Sequence, residues 1–196
     1  MTNEVILRVS SIRSQNPNGF GGCIFVGRQI DKTGNVVDAR CYYVVKAGNK
    51  LLGQAKVQVG QWWHVIGESS SNSRDINGYQ IVEWQMVAQD LSLLQCSGEH
   101  IVSFIAESDE FEGIGLVKAR KLWDTFGEGL YGYLDRGDVS TLSKVLGESR
   151  ARQVIAAWAV NGDTRTLQWL QKNGFNVSIG HKVIAFFGHE IGRAHV

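Results

Sequence analysis

The sequence predicts an α+β chain of two domains, a small β-barrel over residues 1–95 and an all-α domain of tandem helical hairpins over residues 96–190. Three observations predict it. Before residue 95 the chain is a series of β-branched and aromatic runs broken by turn residues, and after it the apolar residues recur at helical spacing. Near the head of the helical part, Phe111 to Gly127 reads FEGIGLVKARKLWDTFG, a Gly-hydrophobic-Gly turn opening directly onto an amphipathic helix.

The strand runs are EVILRVSSIR, GGCIFVGRQI, ARCYYVVKAG, QWWHVIGES and GYQIVEWQMVA, separated by NPNG, DKTGN, AGN and the polar stretch SSSNSRDING. Five short strands in this length fit the five-stranded OB barrel most economically. SSSNSRDING is expected to be a mobile hairpin loop, and Gly19 to Gly22 a β-turn leading into a strand rather than a phosphate cradle. Alternation along Ile6 and Val9, Trp62 and His64, or Ile81, Glu83 and Gln85 is too irregular to set the register. Tyr42, Tyr43, Trp62, Trp63 and Trp84 are open to two uses, core or contact surface, with burial the default for aromatics on strands.

In the helical part, Ile101, Val102, Ile105 and Ala106 predict a first helix ending at Ser108-Asp109-Glu110. Leu116, Ala119, Leu122, Trp123 and Phe126 then form one apolar stripe of a second helix, with Lys118, Arg120 and Lys121 off it. Leu142, Val145 and Leu146, followed by Ala151, Val154, Ile155 and Trp158, predict a second pair joined through Gly147. A third pair is expected from Thr164 to Phe187, turning at Asn173-Gly174-Phe175. Three such hairpins in series look like degenerate internal repeats, of which only the first keeps Gly-x-Gly.

That first turn carries the functional expectation. Gly113 and Gly115 lack a Cβ, so the turn is tight and its amides are approachable. Ile114 between them points inward as a pin. The N–H groups opening the next helix lie where its dipole favours an anion such as a DNA phosphate. Such contacts hold a protein on the DNA backbone without reading sequence. An ordinary αα-hairpin, with glycines serving the turn alone, uses the same residues. In the second pair, Gly147 has no glycine partner, and a structural role is as well supported as a binding one.

Composition narrows the class. Residues 1–98 hold nine Lys/Arg against seven Asp/Glu, and residues 99–196 hold eleven against twelve, so neither half is a polycation. Any DNA contact is therefore expected to be local, with a modest salt dependence. No apolar run reaches the roughly 18 residues of a membrane span, and the start MTNEVILRVSS lacks a signal-peptide pattern, which leads to a cytoplasmic expectation. Cys23, Cys41 and Cys96 are scattered, and His64, His100, His181, His189 and His195 show no metal-ligand spacing, so buried thiols and no metal are expected. No nucleophile, base and orienter set stands out, and no G-x-x-x-x-G-K-[ST] segment occurs. Gly127-Glu128-Gly129-Leu130-Tyr131-Gly132 lacks the lysine that reaches a triphosphate. The chain is expected to hold no cofactor and no catalytic residue of its own.

The barrel segments GQWWHVIGE and INGYQIVEW, then FEGIGLVKARKLWDTFG, VLGESRARQVIAAW and LQWLQKNGFNVSIGHKVIAFFG, resemble in order and spacing the amino-terminal region of long RecD-like superfamily 1 DNA helicases. The resemblance implies an OB-like domain and tandem helix-hairpin-helix units ahead of a 5′–3′ motor that uses ATP and Mg²⁺. It implies single-stranded or forked DNA as partner, contacts to helicase domains, and a DNA-binding hairpin of Gly113, Ile114, Gly115, Val117 and Lys118, with Ala119 at its small-residue position. Such hairpins often carry Lys two residues after the second glycine, where this chain has Val117 and then Lys118. A stand-alone branched-DNA-binding protein similar to the RuvA family is the alternative, since that family also joins an OB barrel to tandem hairpins. Ile191 to Val196, IGRAHV, reads as the translation of a sequencing adapter (ATC GGA AGA GCA CAC GTC), so residues 191–196 are expected to be a non-native tail on a truncated frame.

Overall fold

The computed structural model describes residues 1–16, 21–53, 55–96, 98–175 and 177–187. The expected tail at residues 191–196 and part of the Gly19 to Gly22 turn lie outside them. The chain forms two compact units, Met1–Ser97 and Gly98–Val196, against a sequence-based boundary after residue 95.

The first unit is a closed five-stranded barrel of β1 (Thr2–Asn16), β2 (Gly22–Gln29), β3 (Cys41–Gly48), β4 (Trp62–Ile76) and β5 (Tyr79–Leu94), ordered β1-β2-β3-β5-β4. A four-residue helix, α1 (Asn49–Leu52), follows β3. Pairs are antiparallel except β3 with β5, which run parallel, as in an OB-like barrel. β1 closes the barrel by serving two neighbours, its Thr2–Arg8 part pairing with β4 and its Leu7–Asn16 part with β2. Register shifts between Val9 and Ser11, and between Ile12 and Ser14, bend it around the corner. Alternation along β1 is broken from Val9 onward, because each extra residue moves the following side chains to the opposite face.

Leu7, Phe25, Val45, Trp63, Val65, Met86 and Leu91 fill the interior. Trp62, Trp63 and Tyr43 are buried, and Trp84 is half-buried with its ring stacked on Tyr43 at 6.0 Å, so the aromatic strand residues largely build the core. Buried Gln61 accepts from the Trp63 indole at 3.1 Å.

SSSNSRDING is not a loop. β4 continues through Ile76, and β5 begins at Tyr79 after the two-residue turn Asn77-Gly78. Both turn residues have left-handed backbone, φ 55° and 81°, the requirement of a type I′ hairpin, and Asp75 accepts from the Gly78 amide at 2.8 Å. Serine-rich composition concealed a strand whose turn chemistry was nonetheless written in Asn-Gly.

The second unit holds α2 (Ile101–Glu107), a 3₁₀ turn over Asp109–Phe111, α3 (Leu116–Phe126), α4 (Gly129–Asp135), α5 (Val139–Leu146), α6 (Glu148–Lys172) and α7 (Val177–Phe187). α2 packs on α3, α5 on α6, and α6 on α7. Phe104, Phe111, Tyr131 and Trp158 form a linked aromatic cluster in its core, with the Trp158 indole donating to Asp135 at 2.7 Å. α4 had no sequence-based expectation. The third expected pair is also redrawn, because α6 runs unbroken across Asn161-Gly162-Asp163. One helical glycine costs only about 1 kcal/mol relative to alanine, which burial of Val154, Ala157 and Trp158 before it and Leu170 after it outweighs.

Candidate nucleic-acid interface

The hairpin between α2 and α3 is built by local geometry. α2 ends at Ser108, the 3₁₀ turn seats Phe111 in the core, and the Ile114 amide donates back to the Phe111 carbonyl at 3.0 Å. Gly113 adopts φ 76°, a left-handed conformation that favours glycine. Ile114 is 3% exposed, the inward pin its position suggested. Gly115 precedes α3 with φ −79° and ψ 177°, a conformation open to any residue.

A Cβ placed on Gly113 or on Gly115 would meet nothing within 4 Å. The left-handed turn therefore demands glycine at 113, whereas neither conformation nor packing within the chain demands it at 115. The Gly115 carbonyl accepts from the amides of Lys118 and Ala119, both at 3.1 Å, while among the described residues the amides of Gly115, Leu116 and Val117 have no protein acceptor. Three donors on exposed residues thus lie at the positive end of an 11-residue helix.

The flanking side chains differ from expectation. Leu116, expected on the buried stripe, is 61% exposed, because it occupies the first helical position, ahead of the turn where Ala119 and Leu122 enter the core. Val117 is 83% exposed. Lys118 folds back, its ammonium donating to the Gly113 carbonyl at 2.8 Å, and so braces the turn. Arg120 pairs with Glu99 at 2.9 Å. Exposed Asp109, Glu110 and Glu112 immediately precede the hairpin and balance Lys118, Arg120 and Lys121 in number. The turn therefore carries no net cationic field, and what it offers a ligand is its amides.

The turn between α5 and α6 repeats the framework. Gly147, four residues before buried Ala151, accepts from the Ala151 amide at 3.0 Å, as Gly115 does from buried Ala119. Leu146 is buried like Ile114, and Val154 like Leu122. Val145 stands where the first turn has Gly113, and the left-handed residue is instead Gly147, φ 79°. Asp138 caps α5, accepting from the Thr141 amide at 2.9 Å and hydroxyl at 2.8 Å. These bonds, the amide's first, hold its carboxyl below the usual range.

Among the described residues no three His, Cys, Asp or Glu side chains are grouped to hold a metal, and no helix is long and apolar enough to cross a membrane. No protein-family model matches the chain, and no curated protein does.

Proposed function

We propose that the chain is a DNA-backbone-binding module, the amino-terminal part of a 5′–3′ DNA helicase of RecD-like type, which grips single-stranded or forked DNA without sequence preference through a helix-hairpin-helix at Gly113–Lys118. The observation that carries this reading is the trio of amides at Gly115, Leu116 and Val117, open to solvent beside a glycine that the chain itself does not require. A phosphate fits that geometry, since amides and a helix N-terminus both favour it. An OB-like barrel ahead of helical hairpins is the architecture the resemblance implies. ATP turnover belongs to a motor outside this chain's motifs.

The test is an anisotropy titration of labelled single-stranded, duplex and forked DNA of unrelated sequences at low salt. Weak binding indifferent to sequence is expected, with one or two counterions released. Replacing Gly113 and Gly115 together by valine should abolish it while far-UV helicity stays. Undiminished affinity of that variant, or no binding to any of the three, overturns the proposal.

The repeat at Gly147 and Ala151 favours a second reading, a stand-alone branched-DNA-binding protein similar to the RuvA family, with two hairpins in use. A strong preference for a four-way junction over a fork would select it.

A further inference from the structure

The β4–β5 ribbon extends beyond the barrel. β1 stops pairing with β4 at Thr2 opposite Glu68, apart from Met1 bonding at Ser69, and β3 stops pairing with β5 at Cys41 opposite Val82. Past those points only the pairs Arg74 with Ile81, Asp75 with Gln80 and Ile76 with Tyr79 continue, among the described residues, to the Asn77-Gly78 turn. Three pairs make a two-stranded finger about 10 Å long.

Its end is apolar. Tyr79 is 71% exposed and Ile76 is 49% exposed although the two are cross-strand neighbours, so their mutual contact covers only a minority of the tyrosine. Such a pair adds little to a hairpin, and two polar β-formers would serve there as well. The approach to the tip is Ser69-Ser70-Ser71-Asn72-Ser73-Arg74, small hydrogen-bonding side chains ending in a cation. Between Glu68 and Glu83 the one acid is Asp75, whose carboxylate is held by the Gly78 amide. Glu83, at the ribbon's base, is engaged by the Tyr42 hydroxyl, by Gln85 and by Arg13 at 3.9 Å, and those partners, Tyr42 foremost, hold its carboxyl below the usual range.

We infer that this finger is a wedge for DNA bases: Tyr79 and Ile76 stack on the first unpaired base where single strand meets duplex, while the serine- and asparagine-lined flank and Arg74 follow the phosphates. The inference rests on the DNA-binding reading above and adds to it a structural preference, for a junction between single and double strand. An aromatic and an apolar side chain at the end of a narrow finger are the groups that stack on bases or wedge against them. It is far too small to present the roughly 800 Å² per partner of a standard protein interface. Hydroxyls, amides and one guanidinium are the groups that position a protein on phosphates.

The experiment compares binding of the 196-residue chain to a fork and to a blunt duplex of the same sequence, by anisotropy and by 2-aminopurine fluorescence at the junction base. Wild type should favour the fork by about tenfold, the size of one base–aromatic stack. Ile76→Ser with Tyr79→Ser should erase that ratio and the 2-aminopurine change, leaving duplex affinity and the thermal melt as they were. Tyr79→Phe should retain both. Gly115→Ala should weaken the two substrates in proportion and keep the ratio, so a failure of the hairpin reading is seen separately from a failure of the wedge. Three outcomes overturn the wedge: a fork preference that survives the double serine variant, a loss equal on fork and duplex, or a wild-type dimer in sedimentation that the double variant dissociates, which would mark the tip as a protein contact.

Discussion

Alanine at Gly115 and alanine at Gly113 should have opposite profiles, and the contrast tests whether a glycine is present for the chain or for a ligand. At Gly113 the backbone sits at φ 76°, where an L side chain costs about 1–2 kcal/mol, so Gly113→Ala should destabilise the helical unit by about that amount even though its Cβ meets no atom. At Gly115 the backbone is ordinary and the space is open. Alanine is a poorer residue than glycine at a helix N-cap, by about 0.5–1 kcal/mol, but restricting the unfolded chain returns about 0.4–1 kcal/mol, leaving a net change within about 0.5 kcal/mol. Binding should respond the other way. A methyl group on residue 115 stands beside the amides of Gly115, Leu116 and Val117, and displacing a phosphate from one such charge-assisted bond, worth about 1.5–3 kcal/mol, weakens DNA roughly tenfold or more. Urea melts give the stabilities, and anisotropy at one fixed salt concentration gives the affinities. Gly115→Ala with wild-type affinity would refute the reasoning; so would Gly115→Ala losing several kcal/mol, since the glycine would then be serving the fold.

The remaining predictions concern the framework and its chemistry. Ile114→Ala should cost about 2–5 kcal/mol in a denaturant melt, because a side chain 3% exposed leaves a cavity beneath the hairpin. Asp138 has a carboxyl pKa lowered by its bonds to Thr141, so its contribution is complete above the ordinary carboxylate pKa and is lost as pH falls through the lower folded value; Asp138→Asn should flatten that acid limb in thermal melts. Burial pushes the Cys23 thiol up to about 11 from 9.0, so the folded barrel retains a proton that the unfolded chain releases, and stability should fall as pH rises from about 9 to about 11. Cys23→Ala should reduce that alkaline slope, leaving the part due to Cys41, Tyr42 and Tyr43, whose ionisation the fold also pushes up, and a thiol reagent should label native Cys23 only as fast as the barrel opens. The purified chain should turn over no ATP with or without DNA, since no Walker-type phosphate loop is present; DNA-stimulated phosphate release in a coupled assay would contradict it.

Local chemistry is legible in the amino-acid sequence itself. The strand runs, the helical periods of α2, α3 and α5, and the inward Ile114 follow from neighbours a few residues apart, and those are the distances over which composition and periodicity act. The Asn77-Gly78 turn is equally local, yet five polar residues of β4 outweigh it, because a strand exposed on both faces carries no alternation to detect. What required tertiary structure was everything set by residues far apart in sequence. The parallel β3–β5 pairing closes the barrel across a chain separation that no spacing encodes, and the bulges in β1 reset which face is inside. Helix α6 crosses Gly162 because its two halves are buried by other helices, a stabilisation that local propensity lacks. At the hairpin the sequence supplied the glycines, the pin and the small Ala119, all fixed by backbone geometry within one turn. Leu116 turned outward and Lys118 folded onto the Gly113 carbonyl because their surroundings are set by where α3 enters the core, and that only the packed unit decides.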